Sequence, residues 1–279
     1  MRLATIRTTD GTTAVRVDGS EAVEIEAEDV GALLRQEDWA TRAAAADGRR
    51  HAAKSLDYAR LISRPEKIIC TGLNYRSHIL EMGRELPEYP TLFAKYSAAL
   101  VGAHDDIILP NVSQMVDWEA ELAVVVGSPV RHATPDEAAA AIAGYSVLND
   151  VTARDWQNRT LQWLQGKTFE ATTPLGPELV TTDDKAVTAS GFELRCEVDG
   201  EVMQSANSSD LVFGPTALVA YISDIMTLEP GDVIATGTPG GVGSARTPPR
   251  YLEHANIVVT RIEGIGECRN TCRQEPAVR

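Results

Sequence analysis

The chain has no run of basic residues. Its 26 lysines and arginines are scattered among 40 acidic residues, leaving a formal charge of -14, whereas binding to nucleic-acid phosphates needs clustered cations. A nucleic-acid partner is thereby excluded, and the excess of acid reads as solvation. Long apolar runs are missing too. Stretches such as LAVVV at 122–126 are far too short to span a bilayer, and the opening MRLATIRTTDG has no apolar core of the signal-peptide kind. A cytoplasmic protein without membrane contact is expected. Cysteine is scarce: Cys70, Cys196, Cys268 and Cys272 lie far apart or in a C-x-x-x-C spacing that matches neither a disulfide framework nor a zinc site. Reduced thiols are the simplest expectation.

Several familiar motifs are also absent. Gly166-Lys167-Thr168 ends like a P-loop, but Leu161 stands where that cradle needs glycine. GTPGGVG at 237–243 departs from G-x-G-x-x-G and precedes prolines rather than a helix, so no dinucleotide is expected there. Such a loop either makes a tight turn or brings backbone N–H groups and the Thr238 hydroxyl close to a small carboxylate. No internal repeat or low-complexity tract is present.

What remains is a soluble globular composition, 279 residues with 43% hydrophobic and 24% charged side chains, enough for one large domain or a domain with a small appendage. Short alternating segments at 3–6, 13–17 and 22–25 predict strands, followed by helical segments at 30–36 and 39–46. Arg64-Pro65 breaks this regime, which places a boundary near residue 62: a small N-terminal β-then-α module at 1–62 and a second domain at 63–279. Beyond it, strands are expected at 68–70, 91–95, 119–126, 144–149, 192–198, 232–235 and 257–262. Helices are expected at 136–143, after a Thr-Pro-Asp start signal, and at 216–225. The second domain therefore reads as a mixed, β-rich assembly.

The densest chemistry lies in DWEAELAVVV at 117–126. Alternate residues of a strand share a face, so Asp117, Glu119 and Glu121 are expected to project together, and the strand runs on into residues apolar on both faces. Like charges at the mouth of a buried strand call for a counter-charge. A divalent cation supplies one. Oxygen ligands of this kind suit Mg²⁺ or Mn²⁺ rather than zinc, and Asp150, which closes the apolar run GYSVLN at 144–149, is the candidate third carboxylate. By itself a Glu-x-Glu pair also fits a charged strand end without any ligand.

His78 and Glu81 stand three apart in GLNYRSHILEMG, so one helix face can bring the carboxylate to the imidazole and raise its basicity. That makes either a general base or an ordinary surface turn. Zinc is the poorer reading, since neither H-E-x-x-H nor a cysteine pair stands nearby.

Taken in order, GLNYRSHILE, PTLFAKYSAALVG, DWEAELAVVVG, NDVTARDWQ, QGKTFEATTPLGP and GDVIATGTPGGVG resemble the fumarylacetoacetate hydrolase family, in its acylpyruvase-like and 2-hydroxyhepta-2,4-diene-1,7-dioate isomerase-like branch. The resemblance covers roughly 66–270 and implies an α+β, β-rich fold: a mixed β-sandwich roll with a small N-terminal α+β domain, usually a homodimer, holding Mg²⁺ or Mn²⁺. It places the metal carboxylates on Glu119, Glu121 and Asp150, a His78–Glu81 dyad on a segment that becomes ordered as a lid, and the active-site lysine on Lys167. Tyr75, Arg154, Gln157 and Thr238 are the implied substrate contacts. Glu170 departs from the aspartate many relatives carry, and LEHAN at 252–256 replaces a more usual Lys-x-Gly-Asp turn.

The implied activity is hydrolysis of a carbon–carbon bond in a 2,4-diketo acid such as fumarylpyruvate, as met in aromatic catabolism. His78 and Glu81 draw a proton from water, hydroxide adds to the far carbonyl, and a pyruvate enolate leaves, with Lys167 a second cation near its oxygen. Oxaloacetate decarboxylation and isomerisation of an enol are alternatives, because all three reactions share an enolate. A non-catalytic, metal-dependent binder of small dicarboxylates is a further one, though binding alone needs neither His78 and Glu81 nor Lys167.

Overall fold

Alternation of apolar and polar residues carries the N-terminal segment into strands. The computed structural model describes residues 1–81, 83–187 and 190–276. It opens with β1 (Arg2–Thr8), β2 (Gly11–Asp18) and β3 (Glu21–Ile25), then α1 (Val30–Leu34), α2 (Trp39–Ala45) and β4 (Arg50–Ala52). The Asp29 carboxylate caps α1 through the Ala32 N–H at 2.6 Å and also accepts from Ser63 N–H at 2.9 Å, tying this module to the chain beyond it.

After it come β5 (Ile68–Gly72), α3 (Arg76–Glu81), β6 (Thr91–Lys95), β7 (Leu100–Val101), β8 (Ile107–Leu109) and β9 (Val116–Asp117). The central stretch holds β10 (Ala120–Val126), α4 (Pro135–Ala141), β11 (Ile142–Asn149), β12 (Thr152–Ala153), α5 (Arg154–Gln157) and α6 (Leu164–Lys167). Last are β13 (Thr173–Thr181), β14 (Glu193–Val198), β15 (Glu201–Asn207), α7 (Pro215–Ile225), β16 (Val233–Ala235), β17 (Ile257–Ile262) and β18 (Gly266–Gln274). Among the described residues no helix is long and apolar enough to cross a membrane, and all four cysteines are buried and unpaired.

Two large sheets result. An 11-stranded sheet runs β4-β3-β2-β1-β13-β11-β10-β16-β5-β6, with β7 beside β13, and a 5-stranded sheet runs β15-β14-β17-β18-β8. Most pairs are antiparallel, but β16–β5, β13–β7 and β18–β8 are parallel, which makes the assembly mixed and β-rich as expected. The N-terminal strands join the large sheet directly, with Leu3 opposite Leu179 across β1–β13. One core accordingly gathers Leu3, Leu33 and Ile62 with Ala123, Leu148 and Leu179, from both sides of the boundary drawn near residue 62.

A second core lies between the two sheets, around Trp118, Leu122, Val147, Cys196 and Val258. A third seats α7 through Leu218, Val219 and Ile222 against Val124 and Ile234. The helix α4 starts on a capping box, in which Thr134 and Glu137 satisfy each other's backbone N–H groups.

Some expectations need correction. The strand expected from 119 is two elements: β9 ends at Asp117 and pairs with β12, and β10 begins at Ala120. Asp117 therefore leaves the row of Glu119 and Glu121. Strands β13, β15 and β18 were not anticipated. Pro174, Gly176 and Pro177 read as breakers in β13, yet Gly176 falls at a register irregularity against β11, where a missing ladder bond is tolerated. In β18 the inward positions are Cys268, Asn270 and Cys272, which carry little hydrophobic signal.

Because Leu179 is fully buried where the N-terminal strands meet the large sheet, Leu179→Ala is expected to lower the free energy of unfolding by about 2–5 kcal/mol. A chemical-denaturation midpoint equal to that of the parent protein would contradict this shared core.

Candidate active site

The strand β10 has every residue buried, so both of its faces have work to do. Leu122, Val124 and Val126 on one face pack into the apolar cores, while Ala123 and Val125 on the other continue the line of Glu119 and Glu121. The neighbouring β11 runs antiparallel, with Ala120 opposite Asn149. Asp150 N–H donates to the Glu119 carbonyl at 2.8 Å, and Glu119 N–H donates to Asn149 Oδ1 at 2.9 Å. This pairing brings one oxygen from each of Glu119, Glu121 and Asp150 within 4.8 Å of one another, all three residues buried.

Buried carboxylates need partners. Lys167 Nζ lies 2.6 Å from Glu119 Oε2 and 2.8 Å from Asp150 Oδ2. Lys95 Nζ lies 2.6 Å from the other Asp150 oxygen. Arg154 reaches Glu119 Oε1 at 2.6 Å with one arm and Asp117 Oδ2 at 2.8 Å with Nε. The Lys167 ammonium is held well above its ordinary pKa: burial works against the charge, but the charges of Asp150 and Glu119 outweigh it.

Among the described residues Glu121 has no such ion pair, and its Oε2 accepts from the Gly237 N–H at 2.7 Å and from no other donor. Burial, reinforced by the charges of Asp150 and Glu119, pushes its pKa well above the usual carboxylate range. With Glu121 ionised, Asp117, Glu119, Glu121 and Asp150 would carry one negative charge more than Lys95, Lys167 and Arg154 supply, and the raised pKa of Glu121 reflects that imbalance. A divalent cation among three hard oxygen donors answers that imbalance, so the residues present fit Mg²⁺ or Mn²⁺.

The cluster opens on a cavity of about 530 Å³ lined by His78, Glu119, Glu121, Arg154, Gln157, Lys167 and Thr238 among others. Phe93 and Trp163 meet edge to face at 5.4 Å on its wall. The Thr71 hydroxyl on the same wall is buried and, among the described residues, has no hydrogen-bond partner, a feature of a site built for a polar occupant.

Other residues singled out in the sequence fall as follows. His78, on α3, is half-buried on the cavity wall, and burial lowers its imidazole pKa against the opposing pull of Glu81 and Glu119. Glu81 follows on the same helix outside the cavity lining, and among the described residues no hydrogen bond joins it to His78. Both face Gly240, where a Cβ would lie 3.2 Å from His78 Nδ1 and 3.5 Å from Glu81 Oε2. Gln157 Oε1 accepts from Arg154 at 3.0 Å. The Thr238 hydroxyl is committed to the Ala120 carbonyl at 2.9 Å and accepts from Gln204 at 2.8 Å.

Tyr75 is fully buried in the core between the sheets, outside the residues that line the cavity, and its phenol pKa is raised by burial and then by the nearby charge of Glu121.

The sequence reading missed three supports. Lys95, at the end of β6, fixes Asp150. Asp117 accepts from the N–H groups of Gly243 and Ser244 at 2.7 and 3.0 Å as well as from Arg154, so it locks the glycine loop to the guanidinium. Gln204 bridges Ala120 N–H to Thr238 and the Pro239 carbonyl. A buried lysine closing an apolar strand was the one legible signal among them.

A family model described as the fumarylacetoacetate (FAA) hydrolase C-terminal domain matches residues 67–273. The mitochondrial oxaloacetate tautomerase Fahd2a of Rattus norvegicus is 46% identical over 206 residues, which are 74% of this chain and 66% of that relative's length. The fold superposes on a putative HpcE protein from Mycobacterium smegmatis with a TM-score of 0.89 at 34% identity, covering 98% of this chain and 99% of that one. It superposes on a 5-carboxymethyl-2-hydroxymuconate delta-isomerase from the same organism with a TM-score of 0.82 at 34% identity, covering 99% and 100%.

Millimolar Mn²⁺ or Mg²⁺ is expected to raise the melting temperature of the metal-stripped protein. Glu121→Gln keeps an acceptor for Gly237 N–H but cannot become the third carboxylate ligand, so without metal it is expected to melt within about 2 °C of the parent and to lose the metal response. A variant that melts lower yet still responds to metal would refute the reading of Glu121.

Proposed function

The chain belongs to the fumarylacetoacetate hydrolase family, a family of enzymes, and on that premise we propose that it interconverts the keto and enol forms of a short 2-oxo acid of the oxaloacetate type. The observation that carries this reading is the buried Glu119–Glu121–Asp150 cluster with the Lys167 ammonium set between two of its members. Similarity to a relative named as an oxaloacetate tautomerase supports the same choice.

When bound, Mg²⁺ or Mn²⁺ supplies a Lewis acid for the 2-oxo group and for the negative charge that develops on its oxygen. Glu119, Glu121 and Asp150 would hold that ion, with Lys95 and Arg154 keeping two of the three carboxylates in place. Lys167 brings a fixed positive charge to the same oxygen. His78 is the proton carrier: its ring lines the cavity, and burial lowers its pKa and so favours the neutral form near pH 7. A proton leaves C3 of the keto acid for the neutral His78 ring, and the imidazolium then returns a proton to the enolate oxygen, which forms the enol and restores the neutral ring. No co-reactant is consumed.

Hydrolysis of an acylpyruvate, first in the sequence reading, stands second. It is favoured by the approach of both His78 and Glu81 to Gly240. His78 would take a proton from water, hydroxide would add to the far carbonyl, and the carbon–carbon bond would break with its electrons passing to the pyruvate fragment. Decarboxylation of oxaloacetate uses the same charge-stabilising centre. The family resemblance implies a homodimer whose catalytic domain is 63–279, residues 277–279 lying outside the described ones, with 1–62 as the small N-terminal domain; a cytoplasmic location is this reading's own, since the Rattus norvegicus relative is named as mitochondrial.

Enol absorbance with oxaloacetate, and coupled pyruvate release from oxaloacetate, acetylpyruvate and fumarylpyruvate, separate these reactions when run with Mg²⁺ or Mn²⁺. Conversion of none of them, with normal ligand-induced stabilisation, would leave a non-catalytic binder. His78→Ala is expected to lower turnover by about 10²–10⁴-fold while keeping the metal-induced melting shift. Activity needs the neutral ring, so kcat/KM should fall on the acid side, with its midpoint below the ordinary imidazole value because burial lowers the His78 pKa. A flat acid limb, or full activity of the variant, would remove His78 from the reaction.

A further inference from the structure

The lining of the cavity includes one cation that nothing in the fold has claimed. Lys167 and Arg154 are engaged with Glu119, Asp150 and Asp117. Arg84 also lines the cavity, but among the described residues its guanidinium has no ion pair and no hydrogen bond. Gly83 has φ of 68° and its N–H donates to the Leu80 carbonyl at 2.9 Å, while Arg84 N–H donates to the Ile79 carbonyl at 3.2 Å. This is the hydrogen-bond pattern of a Schellman motif, which closes α3 with glycine in the left-handed region and fixes the next residue relative to the helix. His78 lies on that same helix, and the Arg84 charge is near enough to act on its imidazole.

Charge balance gives this arginine a task. With a divalent cation bound, the buried centre carries one net positive charge, which the first carboxylate of a 2-oxo acid neutralises. A second carboxylate on the same substrate sits in the same half-open cavity, where the exposed Arg84 guanidinium offers it a charge-assisted contact. His78 is not that cation, because it works as a neutral ring. We propose that Arg84 binds the carboxylate at the far end of the substrate, so that this chain prefers 2-oxo dicarboxylates to 2-oxo monocarboxylates. The inference rests on the reading of the metal centre given above.

The test compares oxaloacetate, a dicarboxylate, with acetylpyruvate, a monocarboxylate, on the Mn²⁺-loaded enzyme and its Arg84→Gln and Arg84→Lys variants. Both kinetics and ligand-induced melting shifts are read. Losing one charge-assisted contact is expected to raise KM for oxaloacetate about tenfold or more in Arg84→Gln, with kcat changed far less and with recovery in Arg84→Lys. KM for acetylpyruvate should move by less than about threefold, since its far end is uncharged. Equal losses for both acids, or no loss for either, would overturn the assignment. Parent enzyme that binds both acids yet converts neither would overturn the proposed reaction instead, and the Arg84 comparison would then be decided by the melting shifts. Parent enzyme that binds neither acid would overturn both.

Discussion

An ionised carboxylate buried without an ion-pair partner is among the least favourable arrangements a fold can hold, and Glu121, which has none among the described residues, has its pKa raised accordingly. The ion pairs around it leave this one acid free to ionise when a cation arrives. Glu119 and Asp150 each have a lysine or arginine within 2.8 Å, so the deficit is concentrated at one atom pair instead of being spread over the cluster. Stability is given up there for chemistry, because a site whose charges were fully matched would have little affinity for a divalent ion.

The scaffold makes this arrangement rigid. Glu119 and Glu121 come from the entry to β10, a strand whose two faces are both buried between cores, and Asp150 from the end of its antiparallel neighbour. The glycine loop is held from three directions, by Glu121 through Gly237, by Gln204 through Thr238 and Pro239, and by Asp117 through Gly243 and Ser244. Close approach demands glycine at 243, where a Cβ would come within 1.9 Å of the Arg250 carbonyl. The cavity wall that carries His78 and Arg84 hangs on a short helix after β5, a lighter construction than the carboxylate cluster beneath it.

Residues whose role follows from strand period were legible in the sequence. Glu119 and Glu121 share a face because they are two apart in a strand, and Asp150 joins them because it ends the next long apolar run. Asp117 was misplaced by the same rule, since the period says nothing about where a strand breaks, and here the break falls between β9 and β10. Strands β15 and β18 escaped notice because their buried positions include glutamine, asparagine and cysteine, whose burial is bought by specific partners and not announced by hydrophobicity. Tyr75 illustrates the reverse. Its neighbours in the chain are site residues, but a turn decides whether the ring faces the cavity or the core.

The amino-acid sequence by itself determined which residues could be buried, which strands would be lined with acid, and the family to which the ordered motifs point, because these depend on side-chain type and short-range period. Only the tertiary structure decided which cation meets which carboxylate. Lys95, Lys167 and Arg154 lie 55, 17 and 37 positions from partners they touch, and distances of that kind are set by sheet register and loop packing, which no local pattern encodes.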